Sequence, residues 1–203
     1  MAFYIFPNAI PKAECKKYLN YCLKNADFED ASTIEKGQTD VGVCIPNNPE
    51  KPVKNDNIRK TSISFLRKED TEINQLVWGF IRHANKVFFN YELSYFQSIQ
   101  FAKYNEGGHY NWHQDSTPQN ITSETRKLSL TFSLADHNSY EGGGLQFYNG
   151  ERPFKEGERN VEEDIRTVGS VIVFDSRDWH RVTPVTKGVR YSIVCWTVGP
   201  NFV

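Results

Sequence analysis

Apolar residues recur along the chain with two different periods. Between residues 70 and 90, Ile73, Leu76, Val77, Phe80, Ile81, Ala84 and Phe88 fall on one helical stripe, with Asp70 or Thr71 placed to cap it. The stripe predicts a helix with those side chains in the core and His83 at the surface. A shorter segment opened by Pro11 repeats the helical spacing through Cys15, Tyr18, Leu19, Cys22 and Ala26, and proline suits a first helical turn. Elsewhere the period is two. Strands are predicted over 3–6, over 59–66 with Ile63 and Phe65 on the buried side, and then over 94–104, 110–115, 128–135, 170–175 and 189–198. In the 128–135 segment Leu128, Leu130, Phe132 and Leu134 share one face. Ser129, Thr131 and Ser133 share the other, which suits either solvent or a polar cavity. The run 170–175 is apolar without alternation, as expected of a strand buried on both faces.

Three polar stretches separate these elements. Residues 27–58 contain Gly37, Gly42, Pro46, Pro49 and Pro52 and predict a long loop, with a possible strand near 41–45 and a candidate role as a lid. Residues 116–126 form a second polar loop. Residues 149–168 are highly charged and predict a solvated hairpin excursion. The triple glycine Gly142, Gly143 and Gly144 leads into a strand ending at Tyr148, and permits positive φ or a close backbone approach. Helices first and about eight strands after them predict a mainly β fold with N-terminal helices, a sandwich or jelly-roll barrel with the helices on one sheet. At 203 residues one domain is expected, with 1–93 as a supporting region and 94–203 as the jelly-roll core.

Composition narrows the function. Twenty-four basic against 25 acidic residues leave a formal charge of −1, so no general field draws a polyanion. The four cysteines, Cys15, Cys22, Cys44 and Cys195, form no C-x-x-C pair and read as thiols of a reducing compartment. The N-terminus lacks a basic leader region and no apolar run could span a bilayer, so a cytoplasmic address is expected.

The chemistry concentrates in two stretches. In 101–116, FAKYNEGGHYNWHQDS, His113 and Asp115 lie two residues apart and share one face of an extended segment. A lone His-x-Asp often arises by chance. A second stretch, 169–199, adds His180 after an apolar strand and Arg190 ten residues later. Two imidazoles and one carboxylate on one face of a metal suit a non-haem Fe(II) site, and also Zn(II) or Mn(II). An arginine near such a metal can grip a carboxylate with two parallel hydrogen bonds, and Ser192 faces the same way as Arg190.

Together, Tyr104-x-x-x-Gly108 with His113-x-Asp115, the Glu141-Gly-Gly-Gly-Leu145 run, and His180 with the downstream Arg190-Tyr-Ser192 resemble the 2-oxoglutarate and Fe(II)-dependent dioxygenases. Within them the likeness is greatest to the prolyl 4-hydroxylase-like and PKHD-type branch, and it covers about residues 95–200. The resemblance implies a double-stranded β-helix and a catalytic triad of His113, Asp115 and His180 holding Fe(II). It implies 2-oxoglutarate bound through Arg190 and Ser192, with Tyr104 and Tyr110 lining its pocket. O2 is the oxidant and ascorbate an accessory. The expected reaction hydroxylates a protein or peptide side chain and releases succinate and CO2. A free amino acid or other small metabolite is the alternative substrate, and a metal-binding jelly roll without catalysis is the non-enzymatic reading. Nucleic-acid demethylation is disfavoured, because relatives of that kind carry a second arginine where this chain has Trp196. His109, Trp112 and Arg59 are as compatible with structural as with substrate-binding roles.

Overall fold

The computed structural model describes residues 2–31, 55–67, 70–116, 123–148, 159–161 and 166–202. In chain order its elements are β1 (Phe3–Phe6), α1 (Lys12–Asn25), β2 (Glu29–Asp30), β3 (Arg59–Lys60), β4 (Ser62–Phe65), α2 (Thr71–Ala84), β5 (Tyr95–Phe96), β6 (Gln100–Tyr104), β7 (His109–His113) and β8 (Glu124–Ser133). There follow β9 (Tyr140–Gly142), β10 (Leu145–Tyr148), β11 (Arg159–Val161), β12 (Val171–Asp175), β13 (His180–Val182), β14 (Val185–Gly188) and β15 (Arg190–Pro200). Neighbouring strands pair antiparallel in two main sheets. The major sheet runs β1-β12-β8-β15-β6-β4-β2, with β5 also on β15; the minor sheet runs β11-β10-β13-β7-β3. Strands β9 and β14 form a separate ribbon. This is the expected mainly β jelly roll with helices on one sheet.

Period-two alternation sorts the major sheet into two faces. Phe101, Leu128, Leu130, Phe132, Val171, Val173, Ile193 and Cys195 point to the helix side, where they join Cys15, Tyr18 and Cys22 of α1 and Ile73, Val77, Ile81 and Ala84 of α2 in one core. The opposite face looks toward the minor sheet. There Ala102, Tyr104, Ile172 and Phe174 meet Tyr110, Leu145, Phe147 and Val182 in a second core. Strand β12 contributes to both cores, and so its apolar run lacks alternation. Burial pushes the thiols of Cys15, Cys22 and Cys195 up to about 11, about 12 and about 12, so they are inert as thiolates at neutral pH. Cys44 lies outside the described residues.

Several expectations need correction. The stripe of α2 ends at Ala84, because Asn85–Phe89 forms one π turn in which the Asn90 N–H reaches the Asn85 carbonyl, 2.7 Å away. That wider turn shifts the register, leaving Phe88 53% exposed and burying Phe89 instead. Strand β4 alternates less cleanly than its sequence. Ser64 is buried opposite Phe101, where its hydroxyl accepts the Asp27 N–H, while Phe65 at the strand end is 42% exposed. The long strand over 94–104 is two strands. Between the pairs Phe96–Thr197 and Gln100–Val194, three residues of one strand oppose two of β15, a bulge that separates β5 from β6. The polar loop expected over 27–58 holds a short strand, Glu29–Asp30, which pairs with Ile63 and Ser62. The second polar loop ends sooner than expected, since β8 begins at Glu124. The possible strand near 41–45 and the centre of the candidate lid lie outside the described residues. Of the charged excursion, 159–161 and 166–168 are described, and Arg159–Val161 pairs antiparallel with 146–148 as a hairpin requires.

Candidate active site

The site lies between the two sheets. From the minor sheet come the histidines: β7 ends at His113, β13 begins at His180, and the two are direct cross-strand partners. Their rings lie 4.1 Å apart, centre to centre. Tyr110 stacks on His113 with centroids at 3.4 Å, and Phe174 packs edge-on against His180 at 4.7 Å. Asp115 stands two residues beyond the end of β7 rather than inside a strand. Its N–H and that of Ser116 both donate to the Ser176 carbonyl, at 2.9 and 2.8 Å, and this turns the carboxylate toward the imidazoles.

His113, Asp115 and His180 are all buried, and one potential ligand atom from each lies within 4.8 Å of the others. His113 Nδ1 contacts the Asn111 carbonyl at 2.7 Å and His180 Nδ1 contacts the Asp178 carbonyl at 2.9 Å. A carbonyl can only accept, so each Nδ1 carries a proton, and Nε2 is the nitrogen of each ring left to offer a lone pair to a metal. Those Nε2 atoms sit 3.6 and 3.5 Å from the two Asp115 oxygens. Two neutral imidazole nitrogens and one carboxylate facing a common point, without a thiolate, fit a divalent iron-type ion.

Burial, with His180 and Arg59 nearby, holds the His113 imidazole well below its ordinary value of 6.5, against the pull of Asp115. For Asp115 burial favours the neutral acid. His180, His113, Arg126 and the Ser129 hydroxyl outweigh it and keep the carboxyl below its usual range. His113 and Asp115 are therefore in the protonation states a metal needs near neutral pH. A consequence for stability follows. An unfolded His113 takes up a proton below about pH 6.5 whereas the folded one does not, so metal-free protein loses stability as pH falls from there. Urea midpoints of metal-free wild type should decline more steeply than those of His113→Asn between about pH 7 and about pH 5.5. Equal slopes would assign the dependence to other groups.

The major sheet supplies the rest of the cavity. Arg190 and Ser192 on β15, with Tyr104 on β6 and Tyr110 on β7, line the same pocket as the triad. Arg190 Nη1 donates to Ser192 Oγ at 3.1 Å, and its guanidinium lies over the Tyr104 ring at 5.1 Å. Gly143 makes room for that side chain. It has φ +61, and a Cβ there would stand 3.0 Å from both Arg190 Cδ and Val185 Cγ2. The glycine run thus permits a close approach to the arginine. All seven residues that the resemblance assigns to the iron and 2-oxoglutarate therefore line one cavity, whereas His109 and Trp112 do not line it. The same pocket also includes Gln100, Thr131 and Trp196; of the hydroxyl face of β8, Thr131 lines this cavity, while Ser129 and Ser133 are buried beside it rather than facing solvent. Arg59, buried, lines it too and lies over the Tyr110 ring at 4.5 Å. The inward position of Thr131 was legible from alternation. So was that of Gln100, four residues before Tyr104 in the same strand, because the bulge lies before Gln100 and leaves that alternation intact.

Residues 99–198, which carry the triad and every other pocket residue named above except Arg59, match the model of the 2OG-Fe(II) oxygenase superfamily. The chain belongs to that superfamily. Among curated members, a PKHD-type hydroxylase of Alteromonas mediterranea is 35% identical over 103 residues, covering 47% of this chain and 41% of the relative. The chain thus spans well under two thirds of the length of the curated relatives it matches. Among solved structures, a Pseudomonas putida prolyl-4-hydroxylase superposes with a TM-score of 0.68 at 17% identity, over 96% of this chain and 91% of the other. A Trichoplax adhaerens prolyl hydroxylase, solved with a hypoxia inducible factor peptide fragment, gives 0.67 at 18% identity over 96% and 82%. At such identities the two structures establish a shared fold. Membership of the 2OG-Fe(II) oxygenases implies Fe(II), 2-oxoglutarate and O2. Among the described residues no helix is long and apolar enough to cross a membrane.

Proposed function

We propose that this chain is an Fe(II)- and 2-oxoglutarate-dependent hydroxylase acting on a peptidyl proline or similar side chain, with release of succinate and CO2. The observation that carries the reading is the meeting of the buried His113, Asp115 and His180 with the Arg190–Ser192 pair in one cavity. A site that merely held a metal would have no use for a buried arginine on its wall. His113, Asp115 and His180 would hold the iron, which when bound would supply the redox chemistry with O2. Arg190 presents its guanidinium to the distal carboxylate of 2-oxoglutarate. Ser192, accepting from Arg190, fixes that guanidinium and can donate its own hydrogen to the same carboxylate. Tyr104 forms the wall beneath the arginine, and Tyr110 braces both His113 and the pocket. Ascorbate serves as an accessory reductant, and the address is cytoplasmic.

The peptide reading is supported by the fold shared with a prolyl hydroxylase that was solved with a peptide fragment. Trp196, in the place where demethylating relatives would carry arginine, speaks against nucleic-acid bases. The test is mass spectrometry of a peptide library and a metabolite mixture, each incubated with the protein, Fe(II), 2-oxoglutarate, ascorbate and O2. Gain of one oxygen on peptides, with matching succinate, is expected. Oxygen gained only by a free amino acid or metabolite would reject the peptidyl substrate, and formaldehyde from methylated nucleic acid would replace the reaction class.

A further inference from the structure

Beyond the three ligand residues, one short turn contacts the metal-facing segments repeatedly. Residues 175–178, following β12, place the Ser176 carbonyl on the N–H groups of Asp115 and Ser116, the Arg177 carbonyl on the Gln114 side chain, and the Asp178 carbonyl on His180 Nδ1. Asp175 anchors the turn through hydrogen bonds from Arg177 and from the Tyr91 hydroxyl. Within this bracket Ser129 Oγ lies 2.7 Å from Asp115 Oδ2 and 2.9 Å from Ser176 Oγ, with both serines fully buried. An ionised carboxylate can only accept, so the Ser129 hydrogen goes to Asp115. The Ser176 hydrogen must then point to Ser129. The donors form a directed chain, Ser176 to Ser129 to Asp115, ending on one oxygen of the carboxylate.

We infer that Ser129, oriented by Ser176, is a positioning residue that holds the Asp115 carboxylate in its orientation beside the two imidazoles. This rests on the metal-site reading above. A carboxylate held this way loses little rotational freedom when the ion binds. Freed from Ser129, the carboxylate can turn away from the imidazoles, and a metal held there would then have to order it on binding. Outer partners of metal ligands commonly contribute about 10–100-fold in affinity.

The experiment uses Mn(II) and Co(II) as probes with the full chain, measuring free Mn(II) by electron paramagnetic resonance and the Co(II) d–d absorption of the loaded protein. Ser129→Ala is expected to weaken Mn(II) binding about 10–100-fold and to change the intensity of the Co(II) bands. Ser176→Ala, which leaves the Ser129–Asp115 bond in place, should have a smaller effect of the same sign. The melting temperature of each metal-free variant separates positioning from loss of fold, and if Ser129→Ala does not fold, Ser176→Ala carries the test alone. Wild-type affinity and wild-type Co(II) bands in a folded variant would overturn the role of Ser129 while leaving the metal site intact. Failure of the wild-type protein itself to bind Mn(II) or Co(II) would overturn the site and this inference with it.

Discussion

Asp115→Asn is expected to abolish tight Fe(II) binding and, with it, all succinate formation above background. The substitution keeps the size of the side chain and an acceptor for Ser129, but removes the anionic member of the donor set. Two neutral imidazoles cannot by themselves retain a labile divalent ion against water. The same loss is expected of His113→Ala and of His180→Ala. Those variants also empty space against Tyr110 and Phe174, so the asparagine variant separates chemistry from packing. The measurement is iron content after anaerobic loading and desalting, paired with the melting temperature of the metal-free protein. Full iron occupancy in a folded Asp115→Asn protein would move the metal site elsewhere.

Arg190→Ala should raise the 2-oxoglutarate concentration needed for half-maximal turnover by about 30-fold to several thousand-fold, the equivalent of roughly 2–5 kcal/mol for a charge-assisted pair in a closed site. Metal binding should hardly change, because the guanidinium points to Ser192 and Tyr104 rather than to the triad. Arg190→Lys should recover only part of the loss. Lysine keeps the charge but cannot offer two parallel donors to a carboxylate in the fixed geometry of a guanidinium. A titration of 2-oxoglutarate into the Fe(II)-loaded variants distinguishes the cases, and an unchanged requirement in Arg190→Ala would place the cosubstrate elsewhere in the cavity.

What local pattern specifies in this chain is the kind of element and the kind of chemistry. The 3.6-residue stripe from Ile73 to Ala84 makes a helix with one apolar face, and the alternation from Leu128 to Leu134 makes a strand whose hydroxyl side had to meet either water or a polar cavity. His113-x-Asp115, His180 and Arg190-x-Ser192 were legible as ligand types from their chemistry and spacing, but strand alternation accounts only for Arg190 and Ser192; Asp115 lies beyond β7 and is held by the Ser176 carbonyl. Register was not legible, since it depends on contacts between distant segments. Cross-strand pairing sets His180 beside His113, and the antiparallel alignment of β15 with β6 sets Arg190 opposite Tyr104. A π turn exchanges Phe88 for Phe89 in the core, and a bulge before Gln100 divides one expected strand into two, because each is an insertion in hydrogen-bonding register that single-residue propensities do not encode. The bracket of residues 175–178 and the hydrogen-bond chain through Ser129 had no motif to announce them. They are ordinary serines and carbonyls, and only the packing of β12 against β8 brings them to Asp115.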